Sequence, residues 1–332
     1  MRIPRLSLTY AYAAFGVFGL AVFLVSDQSP HRLWGACAAA AYGCAALVSL
    51  TRLRWRRELA LTVAVAGALA VPLCWLAAAG QGMPEVGVVA RSAGLLVSHF
   101  RPYRSAAQLG ADVYGYNPYL PGMTLFGLPR ALFGGGAATD PRVWDGLAFA
   151  AAFAAALRIA GRTWSASVWR TALLTASPLI AFPLVVSGND LPVLGLLCLG
   201  LALAARPWAA RPWAARPWAG SLGAVHPAWA GVALGAAAAL KSTAWPALLI
   251  VGVLFLVRDG RGAAARFAGA AAAGTDLALA LTMLFTLAPA TRWGYFGYPA
   301  GIGCWLWLSS RIPGRPSSPS RVEKVPLPCG LP

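Results

Sequence analysis

Three short segments of this chain carry groups able to do chemistry. The first is Glu85–Phe100, EVGVVARSAGLLVSHF, in which Glu85, Ser92 and His99 recur every seven residues. On a helix that spacing keeps them on one side, with a drift of about 20° per step. A carboxylate and an imidazole on a shared cavity can take a proton from a hydroxyl; the plainer reading is the solvated face of an interfacial helix. The second is Ser187-Gly188-Asn189-Asp190. It reads as a turn whose Asp190 caps the next helix, or as a polar site. The third is Lys241-Ser242-Thr243, which holds the only Lys among the apolar runs of an Arg-rich chain. An ammonium beside hydroxyls can hold a phosphate or snorkel to headgroups. Between the first and second lie Arg101-Pro-Tyr103-Arg104 and Tyr114-Gly-Tyr116-Asn117-Pro-Tyr119. These rings form an aromatic belt or a wall on which an apolar or sugar ligand stacks.

Other chemistries have no footing here. No nucleotide loop, zincin motif or nucleophile elbow is present. The six Cys show no metal spacing, and His31, His99 and His226 are scattered. No metal site and no cofactor are called for. A divalent cation at Asp140 and Asp145 is the open alternative, although either could equally cap the apolar run starting at Val143. Asp276, inside the last apolar run, is an intramembrane acid of low weight. The net charge of +17 comes in short clusters between apolar runs, so no nucleic acid is expected as a partner.

The elements that must position these groups are membrane helices. Of the 332 residues, 59% are hydrophobic and 11% charged, where a soluble domain carries about 25% charged residues. Nine apolar runs follow one another: Leu6–Val25, Leu33–Leu50, Leu59–Ala79, Val143–Ile159, Thr171–Ser187, Leu191–Ala205, Leu222–Leu240, Ala244–Val257 and Ala263–Ala288. Tyr119–Phe133, with Pro121 and Pro129, reads as re-entrant or interfacial. The expected fold is all-α, a polytopic transmembrane bundle of about eight to ten spans. Alternating the nine runs from a cytoplasmic N-terminus puts roughly fifteen basic residues inside against about seven outside. Glu85, Asp190, Lys241 and the aromatic segments all then fall on the outer face of a multi-pass protein of the cell membrane. The transmembrane domain is expected over residues 1–289, with an outer loop at 80–142. The RPWAA-RPWAA-RPWAG repeat at 206–220 lies in a cytoplasmic loop. Residues 290–332 lose the helical period and read as a tail altered by truncation or frame-shift.

Four blocks carry a resemblance: PEVGVVARSAGLLVSHFRPY, YGYNPYLPGMTLFGLPRALFGG, SGNDLPVLGLLCLGLALA and LKSTAWPALL. In order and spacing they resemble membrane glycosyltransferases of the GT-C superfamily, the mannosyltransferase-like group classed with glycosyltransferase family 87. The resemblance implies a polyprenyl-phosphate sugar donor, a lipid or glycan acceptor, and transfer of a hexose such as mannose at the outer membrane face. It implies that Glu85 is the catalytic base and that Lys241, with Arg91 or Arg101, meets the donor phosphate. His99, Tyr103, Tyr116, Asn117, Tyr119, Asn189 and Asp190 would line the substrate site. The alternatives are a transporter or flippase for an amphiphilic or lipid-linked solute, and an inactive remnant of such an enzyme.

Overall fold

The computed structural model describes residues 5–109, 115–205 and 219–282. Tyr114, the RPWAA copies up to residue 218 and the tail from 290 lie outside the described residues, as does the side chain of Asp276. Among the described residues every regular element is a helix, so the chain is an all-α, polytopic membrane protein.

The N-terminal part pairs α1 (Arg5–Val25) with α2 (Ser29–Leu50), and α3 (Arg56–Val65) runs through a π turn into α4 (Val71–Ala78). Trp34, Ala38, Ala41, Tyr42 and Ala45 of α2 are buried, a helical stripe facing one core. The π turn precedes Pro72, which has no N–H to give the carbonyl of Ala68. Trp34 Nε1 donates to that carbonyl at 2.9 Å. A similar repair holds α9 (Trp164–Thr175) against α10 (Pro178–Val186), which bend by 67° at their junction. The Tyr42 hydroxyl donates to the Ala176 carbonyl at that break, at 2.6 Å.

The C-terminal part stacks α8 (Pro141–Ile159), α11 (Leu191–Ala204), α12 (Ala219–Leu240), α13 (Trp245–Asp259) and α14 (Arg261–Thr282). Phe149, Phe153, Leu194 and Cys198 fill the layer between α8 and α11. Leu234, Phe255 and Phe267 join α12, α13 and α14.

Length and composition qualify four described helices as spans: Ser7–Val25, Ser29–Leu50, Arg56–Ala78 and Ser242–Asp259. The bent α9–α10 pair makes a fifth if it crosses as one. The expected Thr171–Ser187 span is thus two helices, because Pro178 cannot continue α9. Leu191–Ala204 and Pro227–Leu240 are apolar but shorter.

Between α4 and α8 lie α5 (Pro84–His99), α6 (Ala106–Leu109), a 3₁₀ segment (Pro121–Gly127) and α7 (Leu128–Phe133). The expected polar face of α5 does not form. Ser92 is buried and its hydroxyl donates to Val89 O in the same helix. The packed face takes in Val88, Val89, Ser92 and Ala93, because the 3₁₀ segment lies on it. At Gly127 a Cβ would stand 2.5 Å from Val89 O. The packing ends toward the C-terminus of α5, and Phe100, just past it, is 88% exposed.

Candidate functional site

At one end of the bundle α10 and α12 finish and α8 and α11 begin. The amides of Ser187 and Gly188 both donate to Pro183 O, at 2.9 and 2.8 Å, closing α10. Gly188 then takes φ +81°, open to glycine but costly for other residues, and turns the chain into α11. Asp190 stands at the N-cap of α11, yet its side chain makes no capping bond. Its carboxylate instead pairs with Lys241 Nζ. Lys241 is the extended residue between α12 and the 3₁₀ turn Ser242–Ala244. Its ammonium also lies 5.5 Å from the centroid of the Tyr119 ring, a cation–π contact. The Asn189 amide, buried, donates to the Tyr119 hydroxyl. Tyr119, Asn189, Asp190 and Lys241 therefore form one cluster drawn from three distant parts of the chain. The side chains of Lys241 and Asp190 are only 11% and 16% exposed, so little water screens the pair.

Tyr119 is fixed on every side. Its amide donates to Asn117 Oδ1 at 3.0 Å, an Asx-turn. Its carbonyl accepts from the Tyr103 hydroxyl at 2.9 Å. The next amide, Leu120, donates to Leu240 O at 3.2 Å, which joins the loop to the end of α12 beside Lys241. Burial first, and then neighbouring Tyr116, push the Tyr103 phenol above its usual range; burial also raises Tyr116. Both phenols stay neutral hydrogen-bond donors at physiological pH.

Beneath the Ser187–Asp190 turn lie three charged residues of α8. Asp140 is the N-cap and accepts the Arg142 amide at 3.0 Å. The same carboxylate takes the Arg142 guanidinium at Nε (2.8 Å) and Nη2 (2.9 Å), while Nη1 donates to Val185 O at 2.7 Å. Arg142 is 1% exposed. Asp145, one turn further on, is 0% exposed, and both of its oxygens lack a hydrogen-bond partner among the described residues. It lies directly below Gly188, where a Cβ would come within 2.8 Å of Asp145 Oδ2. Sequence reasoning offered Asp140 and Asp145 together as metal ligands or caps. Asp140 is the cap and is taken up by Arg142, while Asp145 does not cap α8. No group of three or more His, Cys, Asp or Glu close enough for a metal occurs among the described residues. Arg142 was missed, although the Asp-Pro-Arg opening of the run carried a signal: a cation within reach of its own helix cap.

Residues 117–309, more than half of the chain, match the model of glycosyltransferase family 87. The chain belongs to glycosyltransferase family 87. No curated protein and no solved structure matches it.

The family 87 match takes in Asn117, Tyr119, Asp140, Arg142, Asp145, Asn189, Asp190 and Lys241, and leaves α5 outside. The other residues expected from the sequence to serve the site of this family 87 chain are spread along and beyond α5. Glu85 is in its first turn, half-buried. That turn is held at the site end, since the Met83 amide donates to Val186 O at 2.9 Å. Arg91 is half-buried in mid-helix, and His99 and Arg101 are exposed at and past its end. At 1.5 Å per residue, His99 stands about 21 Å along the axis from Glu85, so the two do not share a cavity. Tyr103 returns to the cluster through Tyr119; Tyr116 is more exposed.

Proposed function

We propose that this glycosyltransferase moves a hexose, with mannose the first candidate, from a polyprenyl-phosphate donor to a hydroxyl of a lipid or glycan acceptor, at the extracytoplasmic face of the cell membrane. The observation that carries the reading is Lys241, held by Asp190 under the ring of Tyr119 at the aromatic end of the bundle. A cation kept in a poorly screened place by one carboxylate can exchange that carboxylate for a phosphate, another charge-assisted partner. It then stabilises the negative charge that builds on the phosphate as the glycosidic bond breaks. Charge supports this side of the membrane. The Arg clusters at 52–57, 158–170 and 258–266 belong to the opposite end of the helices, and such clusters stay cytoplasmic.

The chemistry divides the carboxylates. In an inverting transfer the acceptor oxygen attacks the anomeric carbon from the face opposite the leaving group. The bond from acceptor oxygen to that carbon forms, the bond to the phosphate oxygen breaks, and the phosphate keeps the electron pair. The acceptor proton goes to a base. Asp190 touches the cation that meets the phosphate, so it stands on the leaving-group side and positions Lys241. The base is Glu85, at the head of α5. Tyr103, Asn117 and Tyr119 form the wall against which the sugar rests.

The test is sugar transfer in membranes bearing this chain, given a radiolabelled polyprenyl-phosphate hexose. Glu85→Gln and Lys241→Met each lose transfer if the assignments hold. Full activity in Glu85→Gln would remove the base assignment, and full activity in Lys241→Met would remove the phosphate assignment.

A further inference from the structure

The carboxylate of Asp145 has no use in the scheme above. It is completely buried, neither oxygen has a hydrogen-bond partner among the described residues, and it is not an exposed group awaiting solvent. Buried carboxylate oxygens are nearly always satisfied, and one that is not demands a reason such as a missing ligand. The nearest cation, Arg142, is already committed to Asp140 and Val185. Repair within the helix is not at hand either, since the α8 cap is Asp140. What lies over Asp145 is the backbone of Gly188, with Oδ2 turned toward it. That is the turn whose next two residues hold Tyr119 and Lys241.

We propose that Asp145 is a sugar-binding residue of the transfer site, whose carboxyl group hydrogen-bonds hydroxyl groups of the donor's hexose ring. The inference rests on the donor reading of Lys241 given above. A hexose offers adjacent hydroxyls that both donate and accept, and a carboxyl group with two open oxygens is suited to take a pair of them in either protonation state. Access comes through the Ser187–Asp190 turn. The turn is clasped down by Asp190 on Lys241 and Asn189 on Tyr119. When Lys241 exchanges Asp190 for the donor phosphate, one of the two clasps is released. Gly188 then moves off Asp145, and the sugar next to that phosphate takes its place. Arrival of the lipid phosphate and opening of the sugar subsite are one event.

The experiment separates sugar from phosphate. The purified full chain, in lipid nanodiscs, is melted with polyprenyl-phosphate hexose and with the bare polyprenyl phosphate. The wild type is expected to melt higher with the glycosylated lipid than with the bare one. Asp145→Ala is expected to erase that difference while still responding to the bare lipid. Lys241→Met is expected to weaken the response to both lipids. Because Ala in a buried place could prevent folding, Asp145→Asn is measured alongside; it keeps the size and one acceptor, and is expected to halve the difference or more. In transfer assays Asp145→Asn raises the donor KM at least tenfold for the parent hexose. A donor deoxygenated at both contacted hydroxyls is expected to be used equally well by wild type and variant. A sugar-dependent difference that survives in Asp145→Ala, or that survives undiminished in Asp145→Asn, overturns the proposal, as does a wild type that responds equally to the two lipids. A wild type that responds to neither overturns the donor reading itself, and this inference with it.

Discussion

Where α8 and α11 begin and α12 ends, polar groups are joined across long stretches of chain. Asp190 reaches Lys241, 51 residues on, Tyr119 reaches Asn189, 70 residues on, and Arg142 reaches Val185, 43 residues on. Where α8 and α13 end, charges find partners close by. Arg158 donates to the carbonyl of Arg162, and Arg258 pairs with the adjacent Asp259 in solvent. The longer reach of Arg258, to Ala204 O at 3.1 Å, ends on a helix C-terminus, where a cation is at home. Arg52, Arg54, Arg261 and Arg266 are exposed. Burying a charge costs several kcal/mol unless its partner is held in place, so only the first end has geometry worth defending. In the orientation proposed above the basic end needs only its charge, which acts at any arrangement of the side chains.

The largest effect should follow from removing the cation of the first end. Lys241→Met is expected to lower transfer about 100-fold or more, the scale of losing a group that stabilises transition-state charge. Arg258→Met at the basic end should change it less than about threefold, since exposed pairs contribute little. Equal losses, measured as initial rates at matched expression, would erase the distinction between a built site and an orienting belt.

A second contrast is in stability. Arg142→Met leaves Asp140 buried beside a missing partner, and the protein should lose about 3–5 kcal/mol. Asp259→Asn breaks the Arg258 pair at the other end and should leave the melting temperature in detergent unchanged within error. A small shift for Arg142→Met would mean that Arg130, 3.7 Å from Asp140, or water takes over the charge.

Two glycines make the sharpest comparison. Gly188 and Gly161, each just past a helix end, have φ of +81° and +90°, so alanine carries a backbone penalty at each, about 1 kcal/mol. At Gly161 a Cβ meets open space, whereas at Gly188 it would stand 2.8 Å from Asp145 Oδ2 and 3.1 Å from Arg142. Gly188→Ala should therefore cost about 1–3 kcal/mol more than Gly161→Ala, and should lower transfer as well. Equal melting temperatures for the two would show that the turn already stands off Asp145.

The same contrast explains what could be read in advance. The basic end could be located in the sequence because charge is additive: Arg clusters between apolar runs mark it wherever each side chain points, and the proposed orientation rests on them. The helical class was legible from the apolar runs. The break at Pro178 was written in the sequence, but hydropathy ran straight through it from Thr171 to Ser187. At the site end, Asp190 and Lys241 could be named as chemical groups, while their pairing depends on how α11 and α12 sit side by side. The regular seven-residue spacing of Glu85, Ser92 and His99 misled for the same reason. Packing of the 3₁₀ segment, not periodicity, decided which face of α5 is covered. Asp145 was hardest to read, since its peculiarity is the lack of a hydrogen-bond partner among the described residues, and a lack of contact leaves no mark on spacing.

The smallest effect comes from a single hydroxyl. Tyr119→Phe keeps the ring under Lys241 and removes the group that accepts from Asn189. The buried amide is left with an unmet donor, at a cost of about 1–3 kcal/mol, while the cation–π contact survives. Asn189→Ala removes the donor from the other side of the same bond. If the bond serves only to hold the Ser187–Asp190 turn against Lys241, the double variant should be no worse than the poorer single one. The coupling read from the four melting temperatures would then be about 1 kcal/mol, of the size seen for residues in contact. Strict additivity would show that the turn is held by Asp190 and Lys241 alone. The site would then hang on one ion pair, and Tyr119 would matter for its ring rather than its hydroxyl.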